Sequence, residues 1–467
     1  MSAIPSQLRS LPLVKGVKGV KNDVHSIYPV NATGNTEFKY GGNNVVSFMV
    51  PAYSRGFLNP LRSQIHFNVK TKTGVAMADG VPVFDRMVIR SGNGQIIEDI
   101  QGYAMISRML KNMENMTHKH ANSSRFHDYR ATSLLNASAL DSAQLKELYE
   151  NGTTVEHDLV SGLLGKTQKY YVPTGLFNAS GGFAFEIQLY LSDPKIACCK
   201  DADATVIDGD SYSLTNVEYQ MEIVTMPAQI TDRLDAELYN NSKVSIPIST
   251  FRLHQSYIPA NSTQVELSIS ESAHDLECVY SCIRKQNLGT DARWADSTEF
   301  FNGVYHGDNL NTLGGHYDRT KDAAASTNAE LLGAVQNYQF RYDTMLYPAK
   351  KAEMAAKDNK LALINAVHTL DAHGKDVFAA SSLSNGKSLW DQGRVFAIVQ
   401  SFKSSKDNIQ NALNSSATGA PLELSLALKK PASEALRVEH FVKSNYTLNI
   451  VKGGQTTLIN GTIKNES

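Results

Sequence analysis

The sequence predicts an all-β protein built as two tandem β-sandwiches with a few short helices. Three observations carry this. Alternation with period two recurs along the whole chain, as half-buried strands require. The chain has 467 residues, well beyond the roughly 250–300 residues at which a single core stops growing. And one order of elements is met twice, at an interval of roughly 200 residues or more, too long for a solenoid repeat.

Taken in order, residues 1–35 show no period. They carry Arg9, Lys15, Lys18 and Lys21 among Gly, Pro and Val, and read as an extended arm. The first sandwich is expected over residues 36–228. Its strands are Val45–Pro51, Gln64–Lys70, Val83–Arg90, Phe183–Leu191 and Val217–Thr225, bounded by Gly, Pro, Asn, Ser or Asp. Ile97, Ile100, Ala104, Met109, Leu110 and Met113 have roughly helical spacing, which predicts a helix over Ile97–Met113. Met226–Ser242 reads as the linker. Pro227 breaks the preceding strand, and Thr231–Leu238 has room for one or two helical turns.

The second sandwich is expected over residues 229–467. Tyr257–Pro259 ends one strand, and Gln264–Ser270 alternates as Gln64–Lys70 does, which pairs these two runs as counterparts. Leu276–Ile283, Tyr338–Tyr342, Arg394–Phe402, Leu422–Leu428 and Tyr446–Ile450 follow as strands. Ala355, Leu361, Ile364, Val367 and Leu370 share one side of a helix expected over Ala349–Leu370. Met116–Lys169 and Gln286–Val335 are the longest irregular regions. Loops of such length are usually functional or protruding surfaces.

Composition excludes several classes. With 42% hydrophobic and 19% charged residues, the chain has ample material for a core and does not resemble a disordered protein. Its net charge of -1 is a poor basis for bulk nucleic-acid binding and removes the repulsion that keeps copies apart. No run approaches the ~18 apolar residues of a membrane-crossing helix. The opening residues lack the apolar core of a secretory signal, so the expectation is a protein made and used without secretion. Four cysteines, Cys198, Cys199, Cys278 and Cys282, are no disulfide framework for so long a chain. Triplets such as Asn31-Ala-Thr33 then read as chance in an Asn-rich chain rather than as glycosylation sites.

No catalytic, cofactor or metal residues are assigned. The phosphate-loop, nucleophile-elbow and His-Glu-x-x-His motifs are absent. Ser91-Gly-Asn-Gly-Gln95 lacks the third glycine of a dinucleotide turn and reads as a plain turn before the helix. His118, His120, His127 and Asp128 form the best metal candidate, yet read as a solvated cluster. His306, Asp308, His316 and Asp318 match no regular oxygen-ligand loop. Cys278-x3-Cys282 is not a zinc knuckle, and the thiols read as small buried hydrophobes. Cys198-Cys199 closes a strand ahead of an Asp-rich turn, with only Lys195 and Lys200 as basic neighbours. Glu98 and Asp99 point apart on the expected helix, where Asp99 would complement the helix dipole.

Two tandem sandwiches, a helix in each, long polar loops and no catalytic constellation resemble the double-jelly-roll major capsid proteins of tailless icosahedral double-stranded DNA viruses. Within that lineage the chain is most similar to the capsid proteins of virophages and polinton-like viruses. Val83-Phe-Asp-Arg-Met-Val-Ile-Arg-Ser-Gly92 with Ile96-Ile-Glu-Asp-Ile-Gln-Gly-Tyr103, and Trp390-Asp-Gln-Gly-Arg-Val-Phe396, carry the resemblance, which covers roughly residues 37–460. It implies two eight-stranded jelly rolls and a homotrimeric capsomer of pseudo-hexagonal outline. Its partners would be neighbouring capsomers, penton and minor capsid proteins, with no small-molecule substrate. Location in the virion, after assembly inside the infected host cell, follows from the same resemblance. The basic arm would then touch a neighbouring subunit, an internal membrane or packaged DNA, or else hang as a tail. A carbohydrate-binding or carbohydrate-active tandem sandwich is the rival. It is weakened by having only Trp294 and Trp390 for sugar platforms.

Overall fold

Period-two alternation becomes sheet wherever one strand face meets an apolar layer. The computed structural model describes residues 20–32, 36–73, 75–77, 83–113, 150–177, 182–200, 207–241, 243–285, 335–353, 361, 365, 398–402, 412–428, 431, 435–451 and 453–460. In the first unit the strands are β1 (Lys21–Ile27), β2 (Val45–Pro51), β3 (Gly56–Thr71), β4 (Val75–Met77), β5 (Phe84–Ser91), β6 (Ile96–Gln101), β7 (Thr153–His157), β8 (Val172–Pro173), β9 (Phe183–Leu191), β10 (Cys198–Lys200) and β11 (Tyr212–Thr225). Its helices are α1 (Tyr103–Met113) and the single turn α2 (Pro194–Ala197); helix α3 (Ala228–Asn241) leads to the second unit. That unit holds β12 (Lys243–Ile258), β13 (Gln264–Ile269), β14 (Leu276–Lys285), β15 (Val335–Tyr342), β16 (Met345–Glu353), β17 (Ile398–Ser401), β18 (Leu422–Leu428), β19 (Leu436–Val451) and β20 (Thr456–Asn460).

The pairing is antiparallel throughout the described residues, and each unit has two facing sheets. In the first, β1-β11-β3-β7 form one sheet, with β8 also on β3, and β2-β9-β5-β6 form the other. In the second, β12-β19-β14-β17 carry β20 as an extra strand, opposite β13-β18-β15-β16. β7 and β8 both bond the side of β3 that β11 leaves open, so they occupy one lane. With the lanes numbered in chain order, both units read 1-8-3-6 in one sheet and 2-7-4-5 in the other. That is the strand order of an eight-stranded jelly roll, met twice. β4 and β10 make a separate two-stranded ribbon.

A continuous core runs through both units, from Phe38, Phe48 and Phe67 to Phe441, Leu448 and Ile450. Beside it, Phe57, Val224 and Met226 of the first unit, Leu234 of α3 and Val244 of β12 form a smaller cluster that fastens the linker helix to both sandwiches.

Several sequence expectations change. Ile97–Gln101 is strand β6, and the helix starts only at Tyr103. Gly102, at φ 62°, separates the two in a conformation that favours glycine. Ala349–Glu353 belongs to strand β16 rather than to a helix; most of the remainder of that stretch lies outside the described residues, with helical backbone at Leu361 and Asn365. The linker helix spans 14 residues, not one or two turns. Lys21–Ile27 is a strand paired with β11, so the last part of the expected arm belongs to the first sheet. Strand β7 lies inside the expected irregular region. The proposed counterparts shift by one strand: lane order matches β13 (Gln264–Ile269) to β2, and β3 to β14.

Candidate assembly surface

The two jelly rolls meet along β6 of the first and β12 of the second. These strands belong to different sheets and share no ladder, so side chains and loops make the contact. Gly102 lies against Phe441 and Leu253: a Cβ there would sit 3.0 Å from the Phe441 ring. Gly162, in the turn after β7, comes closer still, and a Cβ would lie 2.0 Å from the Ser249 carbonyl oxygen. No real Cβ adopts such a contact with backbone, so glycine is required there by proximity alone. Gln168 donates its side-chain amide to the Gly162 carbonyl at 3.0 Å and to the Pro247 carbonyl at 3.1 Å. At the far end, Gln95 in the β5–β6 turn accepts from the Thr456 amide at 2.7 Å.

Glu98 organises the turn that makes this approach. Its buried carboxylate accepts from the Gly162 amide at 2.8 Å and the Leu163 amide at 3.3 Å, and from the Ser161 hydroxyl. Burial holds its carboxyl above the ordinary range, while these donors pull the other way. The neighbouring Asp99 points elsewhere, to a bidentate ion pair with Arg86 at 2.8 and 2.6 Å. The expected helix-dipole role of Asp99 is therefore replaced by a cross-strand pair between β5 and β6.

The second unit buries more charge. Lys443 of β19 and Glu277 of β14 pair at 2.9 Å, both almost fully enclosed. Glu271 accepts from Arg252 at 3.2 Å and bonds His254 at 2.7 Å. His440 lies between Ser281 at 2.8 Å and Ser256 at 3.2 Å. Desolvation, with His254 nearby, pushes its pKa down to about 3. These groups stand on adjacent strands of one sheet or on the turn beside it.

Cys278 and Cys282 lie buried on β14, and Cys198 is buried where it opens β10 instead of closing a strand. Ser91–Gln95 is the turn of the β5–β6 hairpin, with Gly94 at φ 85°. His118, His120, His127, Asp128, His306, Asp308, His316 and Asp318 lie outside the described residues. Among the described residues no group of three or more His, Cys, Asp or Glu side chains is placed to hold a metal, and no helix is long and apolar enough to cross a membrane. Sequence reasoning missed Glu98 as an anchor, since its partners lie more than 60 positions away.

No family model matches the sequence, and no curated protein matches it. Solved structures do match the fold. The capsid protein VP54 of PBCV-1, fitted into a reconstruction of the virophage Sputnik, aligns with a TM-score of 0.60 at 13% identity, over 96% of this chain and 99% of that one. The Faustovirus major capsid protein aligns at 0.54 and 9% identity, over 94% and 92%. The Sputnik virophage structure aligns at 0.51 and 10% identity, over 97% and 91%. The chain has the double-jelly-roll fold of these capsid proteins. The likeness spans both sandwiches, so the tandem arrangement is shared as well as the unit.

Proposed function

We propose that this double-jelly-roll chain is the major capsid protein of an icosahedral virus. In this reading it forms homotrimeric, pseudo-hexagonal capsomers that tile a shell around double-stranded DNA. Its role is structural rather than catalytic. Its site is the virion, after assembly inside the host cell, and its partners are neighbouring capsomers, penton and minor capsid proteins.

The observation that carries the proposal is the repetition of one eight-lane order in two units fastened side by side. It is joined to nearly full-length likeness to capsid proteins. Two similar walls per chain become six in three copies, so closed contacts inside a capsomer and weaker ones between capsomers can both repeat. A near-neutral chain, at -1, opposes neither.

Sedimentation and electron microscopy of the purified protein test this. Three-copy particles of pseudo-hexagonal outline, or shells built from them, are expected. A stable monomer at micromolar concentration with no larger species overturns it.

A further inference from the structure

The chain enters β1 and leaves β11 at one end of the first sheet. These strands are antiparallel with Lys21 opposite Thr225, so the residues before Lys21 and those after Thr225 head the same way. After Thr225 come Met226, Pro227 and helix α3. Val20, just ahead of β1, packs half-buried on the small cluster that holds Met226 and Leu234. Ile230, Tyr171 and Leu176 border the same cluster and are also only half-buried.

The sequence ahead of Val20 continues a pattern. It has neither the strand nor the helix period, but Val14-Lys15-Gly16 and Val17-Lys18-Gly19 repeat every three residues, and Val20-Lys21 begins the unit again. Three residues per turn is the polyproline-II period, which places Val14, Val17 and Val20 in one row, the lysines in a second and the glycines in a third. At ~3.1 Å per residue the valine row is about 19 Å long. Helix α3, with 14 residues, is about 21 Å long. Glycine in the third row lets the backbone lie close to a neighbour. Charge points the same way. α3 carries Asp232, Asp235 and Glu237 against Arg233 alone, and Asp232 and Asp235 are exposed. The sequence before Lys21 has Arg9, Lys15 and Lys18 and no acid.

We infer that residues 14–19 lie along α3 of their own chain. Val17 and Val14 extend the row that Val20 begins and cover the half-buried side of Ile230, while Lys15 and Lys18 meet the acids of the helix. The linker that joins the two jelly rolls is then also the seat of the arm, and residues 1–13 start from a fixed point beyond it. A ribbon without internal hydrogen bonds cannot bury its valines alone, so it gains by ordering on such a seat. A single chain suffices for this contact, which stands apart from the capsid reading.

Limited trypsin digestion of the full-length chain tests it. Mass spectrometry reads the rates of cutting after Arg9 and Lys15, each divided by its rate in a free peptide of residues 1–22. Cutting tracks the open population, so the Lys15 rate should be roughly ten-fold below that at Arg9, which lies ahead of the seated stretch. Val17→Ser lies ahead of β1 and leaves both sandwiches complete; it should bring the Lys15 rate up to that at Arg9. Asp232→Lys with Asp235→Lys should do the same, and Leu8→Ser should change neither rate. Mere closeness of Lys15 to the folded sheet would slow cutting equally in every variant, so a slow cut that persists in Val17→Ser overturns the seat. Equal rates at Lys15 and Arg9 in the unmodified chain overturn it too. A charge-reversed helix that folds yet keeps the slow cut overturns the lysine contacts; should it fail to fold, Val17→Ser decides alone. Protection that fades as the chain is diluted means that another copy supplies the helix, and overturns the assignment to one chain.

Discussion

His440 shows how far a single side chain can tie this fold to pH. The folded chain keeps the imidazole neutral down to about pH 3, whereas the unfolded chain protonates it near the ordinary value of ~6.5. A folded pKa below the unfolded one means that acid favours unfolding between those two values. The loss is about 1.4 kcal/mol for each pH unit below ~6.5. His440→Asn keeps a polar group beside Ser281 and Ser256 but cannot titrate. Thermal melts at one protein concentration, near pH 7 and near pH 5, should show a smaller acid loss in the variant, by about 2 kcal/mol. Equal losses would contradict this account. Neither His440 nor Glu98 was legible as a special position in the sequence. Each owes its state to residues far along the chain, Ser281 and Ser256 for one and the turn at Ser161–Leu163 for the other. Burial of that kind has no local signature.

Among the elements, the turn after β7 is the most constrained. The Ser249 backbone leaves no room for a Cβ at Gly162, and β12 cannot retreat without disturbing its ladder to β19. Gly162→Ala should therefore cost about 1–3 kcal/mol or more, as overpacking does, and lower the melting temperature. Gly42→Ala, with open space around it, is the control that should melt nearly as the unmodified protein does. Strands were the most legible elements: Leu422–Leu428 is read to the residue from alternation, and Val45–Pro51 to the residue as an apolar run closed by proline. The helix read over Ile97–Met113 fused a strand to a helix, because Ile97 and Ile100, three apart, would share one helix face, whereas on β6 they point to opposite faces and both are buried. Gly102 was the signal that divides them. Matching β3 to β13 failed because alternation is common to every strand and carries no lane number. Only the pairing partners supply that.

At the scale of the molecule, the first sheet sets how far an arm can be cut back. Lys21 begins β1, so truncation into that strand would damage the first sheet. Deleting residues 2–19 spares it. We propose that these residues tie capsomers to a neighbour or to an inner component. The truncated chain should form capsomers normally, with shell yield or resistance to heat and salt reduced. Shells of normal yield and resistance would make the arm a tail. The long ribbon of β12 and β19 has a mechanical meaning of its own. Sixteen residues of each strand are aligned, with no register shift, from Lys243–Val451 to Ile258–Leu436. Their hydrogen bonds lie across the strand axis. A load along that axis is shared by all of them at once, whereas a pull across it opens them one by one. Under any load that stretches the protein along this ribbon, it resists as a beam in shear, and the weaker direction is the one that peels the edge strand β12 from its neighbour.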